Sequence, residues 1–544
     1  MAEQKENLQM EKIVSLCKRR GFVFQSSEIY GGLNGFWDYG PLGAELKRNV
    51  KELWWNTMTR QRDDVAGLEA TIIMSPKIWE ASGHVATFSD PMIDCKTCKG
   101  RFRADQTDEI PCPQKPSKCV NECHGEKTEA RAFNLMFQTY VGPTATAADI
   151  AYLRPETAQA IFAQFKNVLE TSRQKVPFGI AQVGKAFRNE VTPRNFTFRS
   201  REFEQMELEF FIKPDEVIEA IHGSVATVPE TGHPGEPQAN WGWQAWHQYW
   251  VEERVRFYEG IGLDRSTLGF HRQTPAELAH YARACTDILF KFPFSKKDAD
   301  GNVVGDELEG IAARSDFDLS QHQRYSGKPM GVFDDELRAV WAKLPKEKAD
   351  DLWKRYYDNR KNYLTKSAKP DETAEQISQQ ATEDANGLAK GQYIPHVIEP
   401  SAGVDRLILA LIANAYSEIT ETDDKGKTET RVTMKFHPRV APIKVAVLPL
   451  LKNKPEIVKQ ALAVRDLLRP WMNVFYDEAG SIGRRYARQD EAGTPFCVTV
   501  DFDTLGEKPE LLGTVTIRYR DDGKQERLKI SELLDVLLAK TRDV

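Results

Sequence analysis

The stretch GIAQVGKAFRNEVTPRNFTFRSREFEQMELEFF (179–211) constrains this chain more than any other part of it. It reads as a hairpin, with a first strand over 179–190, a second over 202–211 and a loop between them. Side chains alternate faces along a strand. Gln182, Gly184, Ala186, Arg188 and Glu190 therefore share one face, and Phe203, Gln205 and Glu207 share one face of the second strand. An ordinary core face would be Val, Ile and Leu. This one carries an arginine, two carboxylates, an amide and an aromatic ring over small residues, which suits the floor of a site for a polar ligand. The loop adds Arg194 and Arg199, with Arg201 at its edge, and guanidinium forks suit phosphate oxygens. The competing reading is a solvated sheet face with cross-strand ion pairs.

A second set lies in IPHVIEPSAGVDRLILALI (394–412). Residues 398–401 read as extended, so Glu399 and Ser401 point the same way. Gly403, which lets backbone approach a ligand closely, opens a helix whose Leu407, Ile408, Leu411 and Ile412 face a core. Arg406 falls in the first turn, where the helix dipole disfavours a cation unless it serves an anion. Alone, the segment reads equally as a buried helix with a surface arginine.

Five of the 8 cysteines cluster: Cys95, Cys98, Cys112, Cys119 and Cys123. In a reducing compartment such a cluster points to metal rather than disulfides. The surrounding region, 94–131, is poor in apolar residues and reads as an inserted module. Cys17, Cys285 and Cys497 sit among apolar residues and read as core thiols.

The 544 residues are 41% hydrophobic and 28% charged, which excludes a disordered or fibrous chain and leaves ample length for a large core. No apolar run reaches the 18 or more residues of a membrane helix. The polar N-terminus, MAEQKENLQMEK, is neither a secretory signal nor a transit peptide, so the expected compartment is the cytoplasm. A net charge of −6 gives no support to non-specific nucleic-acid coating, though a local basic patch stays possible on these grounds. A helix is expected over 42–60 and an apolar strand over 68–74. Lys47, Arg48 and Lys51 read as a solvated helix face. The residues 213–242 read as a loop-rich insertion and 332–390 as a solvated helical one. Trp241, Trp243, Trp246 and Trp250 read as helix packing. The last hundred residues alternate strand and helix, which argues for a separate α/β domain over 441–544. There Arg484, Arg485 and Arg488 face two readings, RNA phosphates or structure.

These residues carry a resemblance. The two chemical segments resemble motifs 2 and 3 of class II aminoacyl-tRNA synthetases, and 42–76 resembles motif 1. The wider chain resembles glycyl-tRNA synthetases of the homodimeric type, through GFWDYGPLG (35–43), ARAFNLMF (130–137), LRPETAQ (153–159), FRNE (187–190), FRSREFEQMELEFF (198–211), ELAHYA (277–282), ELEGIA (307–312) and EPSAGVDR (399–406). FRNE alone is weak; the ordered set is specific. The resemblance implies an α+β catalytic domain over 1–440, an antiparallel sheet flanked by helices, followed by a small α/β anticodon-binding domain. It implies a homodimer, with tRNA(Gly), glycine and ATP with Mg²⁺ as partners and no membrane. The alternative is a non-catalytic synthetase-like nucleic-acid-binding accessory subunit.

The same resemblance assigns roles. Arg188 would hold the α-phosphate and Arg406 the γ-phosphate; these are the catalytic candidates. Glu190 would accept from the adenine amino group and Phe203 would stack beneath adenine. Asn189, Phe198, Arg199, Ser200, Arg201, Glu202, Leu308, Gly403, Val404 and Asp405 complete the expected ATP contacts, with Glu307 as a magnesium ligand. Glu156, Glu207 and Glu399 would surround the glycine ammonium, and Ser401 would leave no room for a methyl group. Arg103, Phe203, Glu204, Gln205, Met206, Pro400, Ala402 and Gly403 complete the expected glycine contacts. The family often has a second cysteine pair close before ARAFNLMF, which favours Cys95, Cys98, Cys119 and Cys123 as ligands of a structural Zn²⁺; Cys112 competes.

Overall fold

The computed structural model describes residues 2–542 except 109, 230, 280, 299, 369–371 and 423–427. Of the stretches quoted above, His280 and part of the 332–390 segment lie outside the described residues.

Seven strands form the main sheet: β1 (Val65–Gly67), β2 (Phe178–Phe187), β3 (Glu202–Ile212), β4 (Leu268–Arg272), β5 (Ala284–Phe290), β6 (Asp306–Ser315) and β7 (His396–Gly403). Their spatial order is β4-β5-β6-β7-β3-β2-β1, and every pairing is antiparallel except β1 on β2. β7 arrives from far along the chain to lie between β6 and β3, which brings EPSAG against the hairpin.

Helices cover both faces. On one side α1 (Pro41–Trp55), α3 (Trp243–Gly260) and α4 (Val404–Ala415) pack against Met206, Leu208, Phe210, Ile311 and Ala402. Trp246 and Trp250 of α3 sit 4.8 and 5.1 Å from the Phe210 ring, so the tryptophan run is packing. On the other side α2 (Ala158–Thr171) sets Ile161, Phe162 and Phe165 against Phe178, Ile180 and Phe211.

The 332–390 segment is helical but not a solvated appendage. Leu337, Leu352, Tyr356 and Leu388 join the α2-side core, and buried Arg360 bridges Asp316 and Asp384. Its few apolar residues recur at helical spacing, and that suffices for one buried stripe. Within 213–242, Asp215–His222 is a helix with buried Val217 and Ala220. The strand expected over 68–74 is only Ile73–Met74. Between it and β1 the ladder stops, and Ala70 N donates instead to the Gln182 side chain at 2.9 Å.

The terminal unit is a five-stranded sheet: β8 (Val445–Pro449), β9 (Val474–Tyr476), β10 (Phe496–Val500), β11 (Thr514–Tyr519) and β12 (Gln525–Lys529), ordered β9-β8-β10-β11-β12. The helices α5 (Pro455–Leu468) and α7 (Ile530–Arg542) share its core through Ile457, Val464, Leu533 and Leu537. Between them in the chain lies α6 (Ile482–Ala492). Arg485 is buried there and donates to the Pro449, Leu450 and Asp477 carbonyls, and Arg488 pairs with Asp477 at 2.6 Å. These two arginines are structural; Arg484 is exposed.

Gly43 sets how closely α1 approaches the segment before it: a Cβ there would lie 1.8 Å from the Phe22 carbonyl oxygen. Backbone cannot yield as a side-chain tip does, so Gly43→Ala is expected to cost at least the usual overpacking penalty of about 1–3 kcal/mol. The denaturant midpoint of the variant measures this, and an unchanged midpoint refutes it.

Candidate active site

Directly opposed residues on neighbouring strands point to one side of a sheet. Across β2 and β3, Gln182 opposes Glu207, Gly184 opposes Gln205 and Ala186 opposes Phe203. β7 extends this face with Ser401 opposite Glu207 and Gly403 opposite Gln205, and β6 with Gly310 opposite Ser401 and Ala312 opposite Glu399. Gly184 is demanded by space: a Cβ would lie 2.1 Å from Arg154 Nη2. Arg154 cannot easily retreat, being buried and bonded to the Lys185 and Ala70 carbonyls at 2.7 and 3.1 Å.

One end of the resulting cleft is cationic. Arg188 Nε donates to the Pro155 carbonyl at 2.9 Å, and its guanidinium lies 5.4 Å from the Phe203 ring centre. Arg406 donates to the Phe198 and Glu307 carbonyls at 3.3 and 3.1 Å, lies over the Phe198 ring at 4.6 Å and meets the Glu307 carboxylate at 3.3 Å. Arg199 lines the same cleft, and its buried Nη1 has no hydrogen-bond partner. Burial lowers the Arg199 pKa and the charges of Arg194, Arg406 and Arg103 lower it further. Crowded cations with an unmet donor fit the oxygens of an anion.

The other end is anionic and buried. Glu207 accepts from Ser401 Oγ at 2.8 Å and from the Thr157 hydroxyl. Glu399 accepts from Arg314 Nη1 at 2.8 Å, while Arg314 Nε and Nη2 clasp Asp318 at 2.8 and 2.9 Å. Burial raises both glutamates; Glu399 is pushed up to about 8, with Arg314 opposing and Glu207 adding to the shift. Glu156 accepts from Gln159 at 3.1 Å and faces His84 Nε2 at 3.3 Å. Burial would raise it too, but His84, Arg314 and Arg188 outweigh burial and hold its carboxyl well below the ordinary range.

The cleft thus gathers Arg188, Glu190, Phe198, Arg199, Ser200 and Phe203 from the hairpin with Glu307, Glu399, Ser401, Gly403 and Arg406 from β6, β7 and α4. Several expected contacts turn elsewhere. Met206, Leu308, Ala402 and Val404 belong to the core, and Pro400 opposes core Ile311; each alternates with a cleft-facing neighbour, so only backbone from these positions reaches a ligand. Glu202 pairs with Lys185 at the surface. Glu204 faces α1, bonded to Lys47 and Lys51 at 2.8 and 2.9 Å. Asp405 lines the cleft, yet its carboxylate binds Tyr39, Lys47 and the Glu204 N–H at 2.6, 2.8 and 2.7 Å. Lys47 is therefore no solvated residue but a half-buried tie between hairpin, α4 and α1. Arg201 braces the loop through the Glu190 and Asn34 carbonyls, and Asn189 N donates to Leu135 O. Arg103 is held by Asp90 and Asp105 at 2.9 and 2.7 Å and interacts with Glu190, which sets it toward the cationic end rather than among the buried glutamates.

Cys95 interacts with Cys98 and Cys123, and Cys112 with Cys123. Cys112 is buried and Cys119 half-buried. Cys285 is no core thiol: it lines the cleft and donates to Asp287 at 3.4 Å. Arg314 and Thr157, which hydrogen-bond Glu399 and Glu207, are residues that the sequence does not single out. Arg314 follows an apolar strand in AARSDFDL, and nothing local distinguishes it from an arginine leaving a sheet for solvent.

Two family models match the chain: a tRNA synthetase class II core domain (G, H, P, S and T) over residues 145–231 and an anticodon binding domain over 444–540. Among curated proteins, the glycine–tRNA ligase of Treponema denticola is 43% identical over 527 residues, 97% of this chain and 96% of its own. Those of Streptomyces coelicolor and Thermus thermophilus are each 41% identical, covering 96% of this chain and 96% and 97% of theirs. The chain belongs to the glycine–tRNA ligase family. The family's core match spans α2 and the β2–β3 hairpin, and its anticodon match spans the terminal sheet. Among the described residues no helix is long and apolar enough to cross a membrane.

An unfolded glutamate titrates near about 4.3, whereas Glu399 keeps its proton in the folded protein to about 8. Between those values the native state holds the extra proton, so this group's contribution to stability falls as pH rises. Thermal unfolding of the unliganded protein across that window should show Glu399→Gln with a flatter fall than the parent. Equal slopes would contradict the shift.

Proposed function

We propose that this chain is a glycine–tRNA ligase that joins glycine to ATP, forming glycyl-adenylate and pyrophosphate, and then passes the glycyl group to tRNA(Gly). The observation that carries the reading is the polarity of one cleft. Arginines crowd one end, carboxylates are buried at the other, and small residues with Ser401 lie between. A nucleotide triphosphate suits the first end and an ammonium the second. Arg188 holds the α-phosphate and steadies the charge that develops there; Arg199 and Arg406 hold the outer phosphates. Phe203 stacks beneath adenine and Glu190 accepts from its amino group. Glu156, Glu207 and Glu399 surround the ammonium. Catalysis in this arrangement comes from alignment and charge neutralisation rather than covalent chemistry. A non-catalytic subunit on the same fold would have no use for both ends of the cleft.

Glu307, exposed beside Arg406, is the carboxylate suited to the Mg²⁺ that accompanies the nucleotide, since Mg²⁺ prefers one or two carboxylates plus phosphate oxygens. Cys95, Cys98, Cys119 and Cys123, with Cys112 as a competing ligand, are chemically suited to one Zn²⁺, which would brace the module structurally. The terminal unit, from about residue 441, supplies distant tRNA contacts. The resemblance of 42–76 to motif 1 supports a homodimer.

Arg188→Ala is expected to lower glycine-dependent ATP–pyrophosphate exchange by roughly 10²–10³-fold, the loss of about 3–4 kcal/mol that follows removal of a donor aimed at transition-state charge. Activity within tenfold of the parent would overturn the role. Amino-acid choice tests the other end. A pocket that only gains from burying one methylene discriminates by about 1–3 kcal/mol, so exclusion of alanine must be steric. Ser401→Gly should let alanine support exchange while weakening glycine use modestly. If alanine is rejected as before, the wall lies elsewhere.

A further inference from the structure

Glu209 lies on the Glu207 face of the hairpin, yet the proposed site does not use it. It is fully buried, and neither of its carboxyl oxygens has a hydrogen-bond partner. It alternates with Glu207 along β3 and so looks to the same face. β3 and β7 pair with Glu207 opposite Ser401 and Phe210 opposite Ile398, a register that sets Glu209 directly across from Glu399. Oxygens of Glu207, Glu209 and Glu399 all lie within 4.8 Å of one another. On its other flank Glu209 opposes apolar Ile180. The nearest cation, Arg314, has its Nε, Nη1 and Nη2 engaged by Asp318 and Glu399.

Opposed like charges destabilise a strand pair, and an ionised carboxylate without a partner is costly in an apolar interior. Two carboxyls so placed cannot both ionise. Arg314 decides between them. Glu399 has a guanidinium to compensate its charge, and Glu209 has none. An ammonium entering beside Glu399 therefore draws off the proton of Glu399 and leaves that of Glu209.

We infer that Glu209 is a positioning residue for the amino-acid end of the cleft: a buried carboxylic acid that stays neutral and, directly or through one water, donates its proton to Glu399, fixing the carboxylate that faces the glycine ammonium. This rests on the glycine pocket proposed above. Glu209 then acts by shape and hydrogen bonding, not by charge. A neutral side chain of the same length that still donates should replace it, and an apolar one should not.

The test is glycine-dependent ATP–pyrophosphate exchange with Glu209→Gln, Glu209→Leu and Glu207→Gln, reading KM for glycine and for ATP separately, with thermal unfolding as the check on folding. Glu209→Gln should keep the glycine KM within about threefold of the parent, and Glu209→Leu should raise it about tenfold or more with the ATP KM unchanged, the pattern of a local loss in amino-acid binding. A glycine KM in Glu209→Gln raised as far as in Glu209→Leu would mean that charge is what matters and would overturn the inference. So would a harmless Glu209→Leu. Should Glu209→Leu fail to fold, a rise of about tenfold in Glu209→Gln alone overturns it, and a preserved KM there supports it. Glu207→Gln separates the two layers. A raised glycine KM there with a harmless Glu209→Leu removes only the positioning role, and an unchanged one removes the glycine pocket and the role with it.

Discussion

Arg314 makes the anionic end of this cleft possible. Three glutamates share the face of a buried sheet where aliphatic side chains would ordinarily pack, and isolated carboxylates there would be costly. Arg314 divides its nitrogens between Glu399 and Asp318 and lies over the Tyr281 ring at 4.0 Å. Glu207 is held instead by the hydroxyls of Ser401 and Thr157. The carboxylates thus keep distinct partners, and their arrangement is a property of the network rather than of any one residue.

A second, half-buried network holds the frame in the same way. Lys47 lies 2.8 Å from both Glu204 and Asp405, so one ammonium ties α1, the hairpin and the start of α4 together. Burial opposes its charge, and the two carboxylates outweigh burial and raise its pKa. Removing one partner from such a buried group is far more damaging than exchanging a surface pair. The cleft and its frame therefore use alternate residues of the same strand. Phe203, Gln205 and Glu207 face the ligand side, while Glu204 and Met206 face α1 and the core.

The two-residue period of a strand makes the floor of the site legible in the sequence. Alternation assigns Gln182, Gly184, Ala186, Phe203, Gln205 and Glu207 to shared faces, and the pairing register puts them opposite one another. The same alternation explains which expected contacts turn elsewhere. A motif matched as a continuous run, such as Glu202–Phe203–Glu204–Gln205–Met206, names every residue in it as a contact, although every second side chain must point away. Lys47 and the helices of 332–390 differ from expectation for another reason. Charge and low apolar content are averages over a segment, and a single buried stripe or ion tie is invisible in an average.

Local spacing by itself determined the hairpin, the helix that Gly403 opens, the packing role of the tryptophan helix and the α/β alternation of the last hundred residues. Each is written in periods of two or 3.6 residues. Tertiary structure alone decided which residues meet across long separations: Arg314 with Glu399, Lys47 with Asp405, and Glu209 with Glu399. Those pairings depend on the order in which distant elements are brought together, as when β7 inserts between β3 and β6, and that order is not encoded in the spacing of the residues that come to touch.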